Sequence, residues 1–353
     1  MSKVLIAMSG GVDSSVAAHM LKAAGHDCIG AMMKLYDSDS PSTGRTCCSI
    51  EDAEDARAVA TALDIPFFVF NFTDAFEKVV MERFVAEYNR GRTPNPCIDC
   101  NRFMKFEKFL KRAVELRAEY IATGHYANIT RDPSGRWLLS RGVDASKDQT
   151  YVLYAMTQEQ LARTLFPLGG LAKEEVRELA TATSMPTAEK RDSQDICFAP
   201  DGDYAGFIHR HTGQGSRQGN FVSPSGEVLG RHKGLVHYTI GQRKGLGLYG
   251  PTPQYVSALD PVANTVTVGT SDDLFTTILT ANDINLIAVE RLDGVLNIQA
   301  KIRYSHPAQA AKVWQVDDDV IKVEFEKPQR AITPGQAVVL YNGDVVVGGG
   351  TIC

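Results

Sequence analysis

No apolar run in this chain approaches the ~20 residues that a membrane-spanning helix needs, and no signal-peptide pattern opens it. The expectation is a cytoplasmic protein with no membrane partner. There is no basic excess either: 37 Lys and Arg against 42 Asp and Glu leave a net charge of −5. A nucleic acid could therefore be held only by a local basic patch. The seven cysteines are an odd number. In a reducing compartment that speaks against a disulfide framework and for thiol chemistry or metal binding. Internal repeats and low-complexity linkers are absent. What remains is 353 residues of ordinary globular composition, 44% hydrophobic and 22% charged, enough for two or three domains.

Between the apolar run Val4-Leu5-Ile6 and the helical pattern Val16–Ala24 stands Ala7-Met8-Ser9-Gly10-Gly11-Val12-Asp13-Ser14-Ser15. The order is strand, glycine turn, helix start. Adjacent glycines let the backbone turn sharply and approach a ligand closely. The amides of Gly10, Gly11 and Val12, with the hydroxyls of Ser9, Ser14 and Ser15, can then surround an anion at a helix N-terminus. The segment is not a Walker A loop. It lacks the Gly-Lys-Ser/Thr ending, so no lysine of its own reaches the terminal phosphates. Ser-Gly-Gly-x-Asp-Ser resembles the pyrophosphate loop of ATP pyrophosphatases, which cleave ATP between the α- and β-phosphates. The plainer reading is a serine- and glycine-rich helix cap.

Strand and helix patterns alternate through the first half. Strands are expected at Lys3–Met8, Cys28–Lys34, Phe67–Phe70 and Tyr120–Ala122, and helices at Asp13–Ala24, Ser49–Leu63, Phe76–Asn89 and Asn101–Leu116. Ser49 and Asp52 approximate a capping box. Such alternation implies a doubly wound parallel sheet, an α/β fold whose ligands sit beyond the carboxyl ends of the strands. The glycine loop lies at one such end and Thr123-Gly124-His125-Tyr126 at another. Past about His211 the helical period fades. Short strands are expected at Asn220–Val222, Val236–Ile240, Gln254–Leu259 and Thr265–Val268. A second set follows at Asn297–Tyr304, Ala308–Gln315, Val320–Glu326, Ala337–Tyr341 and Val345–Val347. These suggest two small β-rich or barrel domains. The expected division is a catalytic domain 1–204, a central β domain 205–274 and a C-terminal β-barrel 275–353.

Two cysteine segments carry further chemistry. In Gly91-Arg92-Thr93-Pro94-Asn95-Pro96-Cys97-Ile98-Asp99-Cys100-Asn101 two prolines suggest a stiff loop with Cys100 at the mouth of the next helix, where a thiolate is stabilised. That helix carries Arg102, Lys105, Lys108, Lys111 and Arg112 against Glu107 and Glu115, a field that favours a thiolate or a phosphate backbone. Cys97-x-x-Cys100 is also a zinc half-site. Cys197 sits in the polar, aperiodic Arg191-Asp192-Ser193-Gln194-Asp195-Ile196-Cys197-Phe198, where a thiol is more accessible than in a core. Cys28 falls in an apolar strand and reads as packing. Cys353 is the last residue. Cys47-Cys48 are vicinal and poor partners for each other.

Taken together, Ser9-Gly10-Gly11-Val12-Asp13-Ser14, Asn95-Pro96-x-x-x-Cys100-Asn101, Ala122–Tyr126, Lys147-Asp148-Gln149 and Ser193–Phe198 resemble the bacterial-type tRNA-specific 2-thiouridylase family of the pyrophosphate-loop superfamily. Tyr238-Thr239-Ile240-Gly241-Gln242-Arg243-Lys244-Gly245 and Thr333-Pro334-Gly335-Gln336 extend the likeness nearly end to end. The resemblance implies ATP with Mg2+, adenylation of C2 of the wobble uridine with release of pyrophosphate, and sulfur delivery from a persulfide on Cys197 helped by Cys100. Adenylation turns a poor leaving oxygen into a good one, and the base must leave the anticodon stack to be reached. It implies an ATP site at Ala7, Met8, Ser9, Gly10, Gly11, Val12, Asp13, Ser14, Met33 and Gly124, with Asp13 catalytic. It places the target base at Asn95, Pro96 and Cys97. It assigns tRNA contacts to His125, Lys147, Asp148, Gln149, Arg303, Tyr304 and Gln336. The implied partners are a tRNA with a Lys-, Glu- or Gln-type anticodon and a persulfide sulfur donor, the enzyme being a monomer.

Several of these residues have simpler uses. Asp148 suits a cap for the helix Gln149–Tyr154, Arg303-Tyr304 a barrel strand, His125 a structural hydrogen bond at a strand end. Some family members carry Asp where this chain has Cys97, so the acid/base role has no carboxylate here. Three candidate thiolates remain, and Cys97, Cys100 and Cys197 could instead hold a [4Fe–4S] cluster. Outside this chemistry stand another pyrophosphate-loop ligase, which needs neither Cys100 nor Cys197, and a non-enzymatic nucleotide- or RNA-binding protein with zinc on Cys47, Cys48, Cys97 and Cys100. Basic residues concentrate in Arg102–Arg112 and in Arg217–Lys244, where five Lys and Arg stand against Glu227 alone. Affinity for tRNA is therefore expected to fall steeply with salt, with a slope of about −0.9 in log K per phosphate contact on a duplex. Filter binding over a salt series checks this, and a flat dependence removes the basic footprint.

Overall fold

The protein is described by a computed structural model over residues 1–36, 50–190, 196–249 and 252–353. The cap expected at Ser49, the pair Cys47-Cys48 and residues 191–195 ahead of Cys197 lie outside the described residues. The chain divides into two compact units. One comprises Met1–Val80, Cys97–Asp201 and Asp344–Val347, the other Met81–Pro96, Gly202–Gly343 and Gly348–Cys353.

The first unit contains strands β1 (Lys3–Ala7), β2 (Asp27–Lys34), β3 (Phe67–Asn71), β4 (Tyr120–Ala122), β5 (Ala127–Arg131), β6 (Trp137–Arg141) and β7 (Thr164–Leu165). Five of them form a sheet in the order β3-β2-β1-β4-β7, and every pairing in it is parallel. The parallel sheet expected from the alternation is thus present. The chain runs outward from β1 through β2 to β3, then returns to β4 on the other flank of β1. The strand order therefore reverses between β1 and β4, and the loops after these two strands frame a crevice of the kind that binds ligands.

Val4, Leu5 and Ile6 are fully buried, which is why β1 reads as a continuous apolar run. Each such side chain contributes about 1.5–3 kcal/mol by leaving water. Val4 and Ile6 share a core with Ala56, Val59 and Ala60 of the helix Ile50–Ala62. The helix Val12–Ala23 is buried on two sides by small residues. Ala18 and Leu21 join that core. Val12, Val16 and Ala17 pack with Val176 and Ala180 of the helix Lys173–Ala182.

Three local expectations are corrected. The helix expected from Phe76 starts at Thr73, because the Asn71 side chain accepts a hydrogen bond from the Thr73 amide at 3.0 Å. The stiff loop expected through Asn101 ends earlier, for helix begins at Pro96 and runs to Glu115, π-wound over Cys100–Lys108. Proline fits a first turn because its missing N–H would have had no partner within the helix. The hairpin β5–β6 was not anticipated. It is closed by Asp132, whose carboxylate accepts from the Ser134 hydroxyl at 2.6 Å and the Arg136 amide at 2.9 Å.

In the second unit β8 (Gly219–Val222), β9 (Val228–His232), β10 (Tyr255–Asp260) and β11 (Thr265–Gly269) form a sheet in the order β10-β11-β8-β9. The strand expected at Val236–Ile240 is instead a 3-10 turn, Leu235–His237, and β9 takes its place in the sheet. Gly234 and Gly241, both at positive φ, bracket the segment and break any ladder. Val236 and Tyr238 are still buried, so the period of two reflects burial without pairing. The chain then forms β12 (Phe275–Leu286), β13 (Leu296–Lys301), β14 (Gln309–Asp317), β15 (Val320–Arg330), β16 (Ala337–Asn342) and β17 (Val345–Ile352). Their order is β12-β15-β14-β13-β16-β17, and β17 pairs back on β12. The result is a closed six-stranded barrel. Its first strand, β12, was not anticipated.

One close approach ties this fold to the crevice. A Cβ on Gly124 would lie 2.8 Å from the carbonyl carbon of Asp13 and 2.9 Å from the amide nitrogen of Ser14. Both obstacles are backbone and cannot swing aside. Gly124→Ala is therefore expected to destabilise the protein by about 1–3 kcal/mol. Gly170→Ala, with open space around it, serves as the control. Thermal unfolding of the two variants decides the matter, and equal midpoints would disprove the contact.

Candidate active site

The glycine turn is shaped by sterics and then pinned by hydroxyls. Gly10 has φ +72°, and a Cβ on it would meet the Asp52 carbonyl oxygen at 2.3 Å. Gly11 is the N-cap of the helix Val12–Ala23, and no side chain caps that first turn. Its carbonyl instead accepts from the Ser14 hydroxyl at 3.0 Å and the Ser15 hydroxyl at 2.9 Å. The Ser9 amide donates to the Ser14 oxygen at 3.2 Å. The turn is thus pre-formed with the positive end of the helix dipole facing outward, the arrangement that receives phosphate. Ala7 and Met8 are buried behind it. Met33 is half-buried near the end of β2, paired with Phe70 of β3, a place where an adenine ring can lie.

Asp13 points back into the domain. The Tyr126 hydroxyl donates to its Oδ1 at 2.7 Å, and the Lys173 ammonium donates to Oδ1 at 2.8 Å and Oδ2 at 2.9 Å. Lys173 was missed by sequence reasoning. The one signal in its favour is electrostatic: a lysine in the first turn of a helix opposes the dipole, so something else must hold it there. The helix it opens is fixed by Asp144, which accepts from the Lys173 amide at 3.1 Å, and by Glu175, which accepts from the Ala172 amide at 2.6 Å.

From Tyr126 the contacts continue toward the thiols. The Tyr126 amide donates to the Gln149 side chain at 2.9 Å, and the Gln149 amide donates to the Tyr126 carbonyl at 3.2 Å. Asp148 is buried, and its carboxylate accepts from the Thr150 amide at 3.1 Å and hydroxyl at 2.7 Å. Here Asp148 is a cap, with Arg141 3.8 Å away. The helix thus capped, Thr150–Leu153, presents the Val152 carbonyl to the Asn101 amide group at 3.1 Å. Asn101 follows Cys100. A chain of hydrogen bonds and short backbone steps therefore links the glycine loop to one of the two candidate thiols.

Cys97 is exposed and Cys100 half-exposed. Three residues apart on a helix, they share a face. Asp99 points elsewhere, as expected, but because it is buried on the helix rather than carried off by an irregular loop. Cys197 is half-exposed, and its carbonyl accepts from the Tyr36 hydroxyl at 2.5 Å. Tyr36 stacks on Phe76, which meets Phe198 edge-on. Cys28 is buried, and burial first of all raises its thiol pKa, as befits packing. Cys97, Cys100 and Cys197 all lie within the described residues. Among these no three Cys, His, Asp or Glu side chains converge as a metal site. The cluster alternative is corrected accordingly: one helix face supplies two sulfurs and no third closes the set.

The residues assigned to tRNA fall into two groups. Lys147 is half-exposed and Tyr304 exposed, with the Lys301 ammonium 5.5 Å from the Tyr304 ring centre. Others already hold the fold. His125 is buried between Phe106 and Phe166, its Nδ1 2.6 Å from the Thr123 hydroxyl. Arg303 donates to the carbonyls of Arg330 at 2.6 Å and Ala331 at 2.9 Å. Gln336 donates to the Thr93 carbonyl at 2.7 Å. That bond and the Thr93 amide on the Pro334 carbonyl at 2.9 Å steady the segment leading to Asn95 and Pro96.

Comparison with known proteins fits this geometry. The family described as the tRNA methyl transferase HUP domain matches residues 2–201. Its PRC-barrel domain matches 205–270, and the aminomethyltransferase beta-barrel domain matches 276–352. A tRNA-specific 2-thiouridylase MnmA of Lachnoclostridium phytofermentans is 52% identical over 100% of this chain and 99% of its own length. The chain belongs to the tRNA-specific 2-thiouridylase family. The family member from Clostridioides difficile is 49% identical over 99% of this chain and 98% of its own. Among solved structures, a 4-thiouridine synthetase–RNA complex with bound ATP shares 22% identity at a TM-score of 0.38, over 56% of this chain and 45% of that one.

His125 gives the site a pH signature. Burial first, and then Lys105, hold its pKa well below 6.5, so the folded protein keeps the ring neutral. The unfolded chain takes up a proton below about pH 6.5, and stability is therefore lost as the pH falls below that value. His125→Asn is expected to make the fall between pH 7 and 5 shallower, by at most about 1.4 kcal/mol per pH unit. Urea midpoints over a pH series test this. His232, His237 and His306, also lowered chiefly by burial, supply the slope that persists. An unchanged slope would mean the ring titrates normally.

Proposed function

We propose that this member of the 2-thiouridylase family thiolates C2 of the wobble uridine of tRNA, with ATP activation at the glycine loop and sulfur transfer at Cys197 and Cys100. The observation that carries the reading is the backbone contact of Gly124 with Asp13 and Ser14 at the strand-order reversal, beside a helix N-terminus that no side chain caps. ATP lies with its phosphates on Ser9–Ser14 and its adenine against Met33. The uridine O2 attacks the α-phosphorus, and pyrophosphate leaves. Mg2+ enters with the nucleotide and rests on its phosphates. Asp13, the one acid of the loop, already has both oxygens on Lys173.

The terminal sulfur of a Cys197 persulfide then attacks C2. The C2–O bond breaks, and AMP leaves with the oxygen. The Cys100 thiolate attacks Sγ of Cys197, the sulfur–sulfur bond to the base breaks, and its electron pair stays on the 2-thio group. The two cysteines end as a disulfide, which an external dithiol reduces, while a persulfide donor reloads Cys197. A reducing cytoplasm suits both steps. The half-exposure of Cys100 and Cys197 supports their access to donor and base. Asn95, Pro96 and Cys97 are assigned to the base, and Lys147 and Tyr304 to the tRNA. Asp148, Gln149, His125, Arg303 and Gln336 act by positioning the loops that meet it. The names of the relatives favour thiolation over methyl transfer, and the paired thiols do too.

Variants separate the steps. Cys197→Ala is expected to form AMP and pyrophosphate with tRNA yet accept no labelled sulfur and make no 2-thiouridine. Cys100→Ala is expected to accept the label and then stall. Nucleotide chromatography and nucleoside mass spectrometry read both. ADP as the tRNA-dependent product overturns the glycine-loop assignment. Turnover without reductant in the wild type overturns the disulfide.

A further inference from the structure

The glycine loop carries a carboxylate where a polyphosphate must bind. Asp13 lies in the first turn of the helix Val12–Ala23, its side chain still 31% exposed. An acid here repels the incoming phosphates unless something cancels its charge. No lysine of the loop can do so, since the loop has none. The cation comes from 160 residues away in sequence. Lys173 is 5% exposed, its ammonium sits on both Asp13 oxygens, and it lies 5.8 Å from the ring centre of Tyr126. A buried lysine is rare unless paired, and this one is placed by an independently fixed helix end, through Asp144 and Glu175.

We propose that Lys173 is a positioning residue of the nucleotide site, which sets ATP affinity by neutralising Asp13 beneath the phosphate cradle. The ligand is the triphosphate of ATP, and the inference rests on the glycine loop being the ATP site. What matters on this reading is the net charge of the Asp13–Lys173 pair, not the presence of the ion pair itself. The wild type has a pair of net charge zero. Lys173→Met leaves −1, Asp13→Asn leaves +1, and the double variant restores zero with no ion pair.

The test is binding of α,β-methylene ATP with Mg2+ to the full-length protein, by calorimetry, with folding checked by thermal melts. Affinity is expected to follow charge. Lys173→Met weakens binding roughly tenfold to a hundredfold. Asp13→Asn binds at least as tightly as wild type. The double variant returns to within about threefold of wild type, and Lys173→Arg stays near it. If Lys173 were only a structural tie, the double variant would bind as weakly as Lys173→Met or worse, and that result overturns the proposal. So does wild-type affinity in Lys173→Met. Should Lys173→Met fail to fold, the double variant against wild type still decides. A wild type that binds no nucleotide fells the glycine-loop reading and this inference together. A wild type that binds, with variants out of charge order, fells this inference alone.

Discussion

How closely the turn after β1 can lie against the turn after β4 governs the nucleotide side of this protein. Neither turn tolerates a methyl group at the point of contact: Gly124 faces the backbone of Asp13 and Ser14, and Gly10 faces the Asp52 carbonyl. Backbone contact alone would let the turns slide. The Asp13 carboxylate prevents that by taking Tyr126 from the β4 side and Lys173 from the far helix. Three separate stretches of chain are thereby fixed to one side chain. Tyr126 passes the constraint on, since its backbone is latched to Gln149, and Val152, three residues further, holds Asn101 next to Cys100. A displacement at the phosphate loop is felt near the thiol because the intermediates are short, buried and hydrogen-bonded.

What was legible in the sequence is what local chemistry dictates. The glycine loop needs only its own serines and glycines, and it appears as read. β1 and β2 declare themselves by apolar runs, and the parallel order follows from the helices between them. The misses are places where a distant partner decides. Lys173 gains its meaning only from Asp13, which no local pattern connects to it. At Val236–Ile240 the period of two was real, but Tyr238 buries its ring 5.2 Å from that of Phe221 without joining a ladder. At Pro96 two prolines suggested a loop, yet the second is a helix start, and that moved Cys100 from the helix mouth into its second turn.

That shift changes the reason for expecting a reactive Cys100. A thiolate at the first turn is stabilised by unpaired backbone amides. In the second turn those amides are behind it, and Cys97 is the residue nearer the helix end. What Cys100 retains is its neighbours: Arg102, Lys105 and Lys108 follow on the same π-wound stretch, and a positive field still favours a thiolate. The same logic explains why several residues assigned to RNA are found holding loops. A guanidinium has five donors, so Arg303 can fix two carbonyls and keep others for a phosphate. His125 has no such surplus, since its ring is buried and neutral, and its effect on RNA must pass through the loop it shapes.

The choice between persulfide and cluster turns on how many sulfurs must meet at once. A cluster needs three thiolates held around one volume before it can assemble. Cys97 and Cys100 supply two from a single helix face, while the backbone of Cys197 is tethered to Tyr36 near the end of β2, and no third ligand joins the pair. Persulfide chemistry asks for less. Sulfur reaches C2 from Cys197 alone, and Cys100 is needed only afterwards, to release it. Two thiols that meet once per turnover, on segments with separate anchors, satisfy that sequence without a permanent site. Placing them apart also has a chemical advantage. A persulfide already in reach of a second thiolate would be reduced to hydrosulfide before any base was activated.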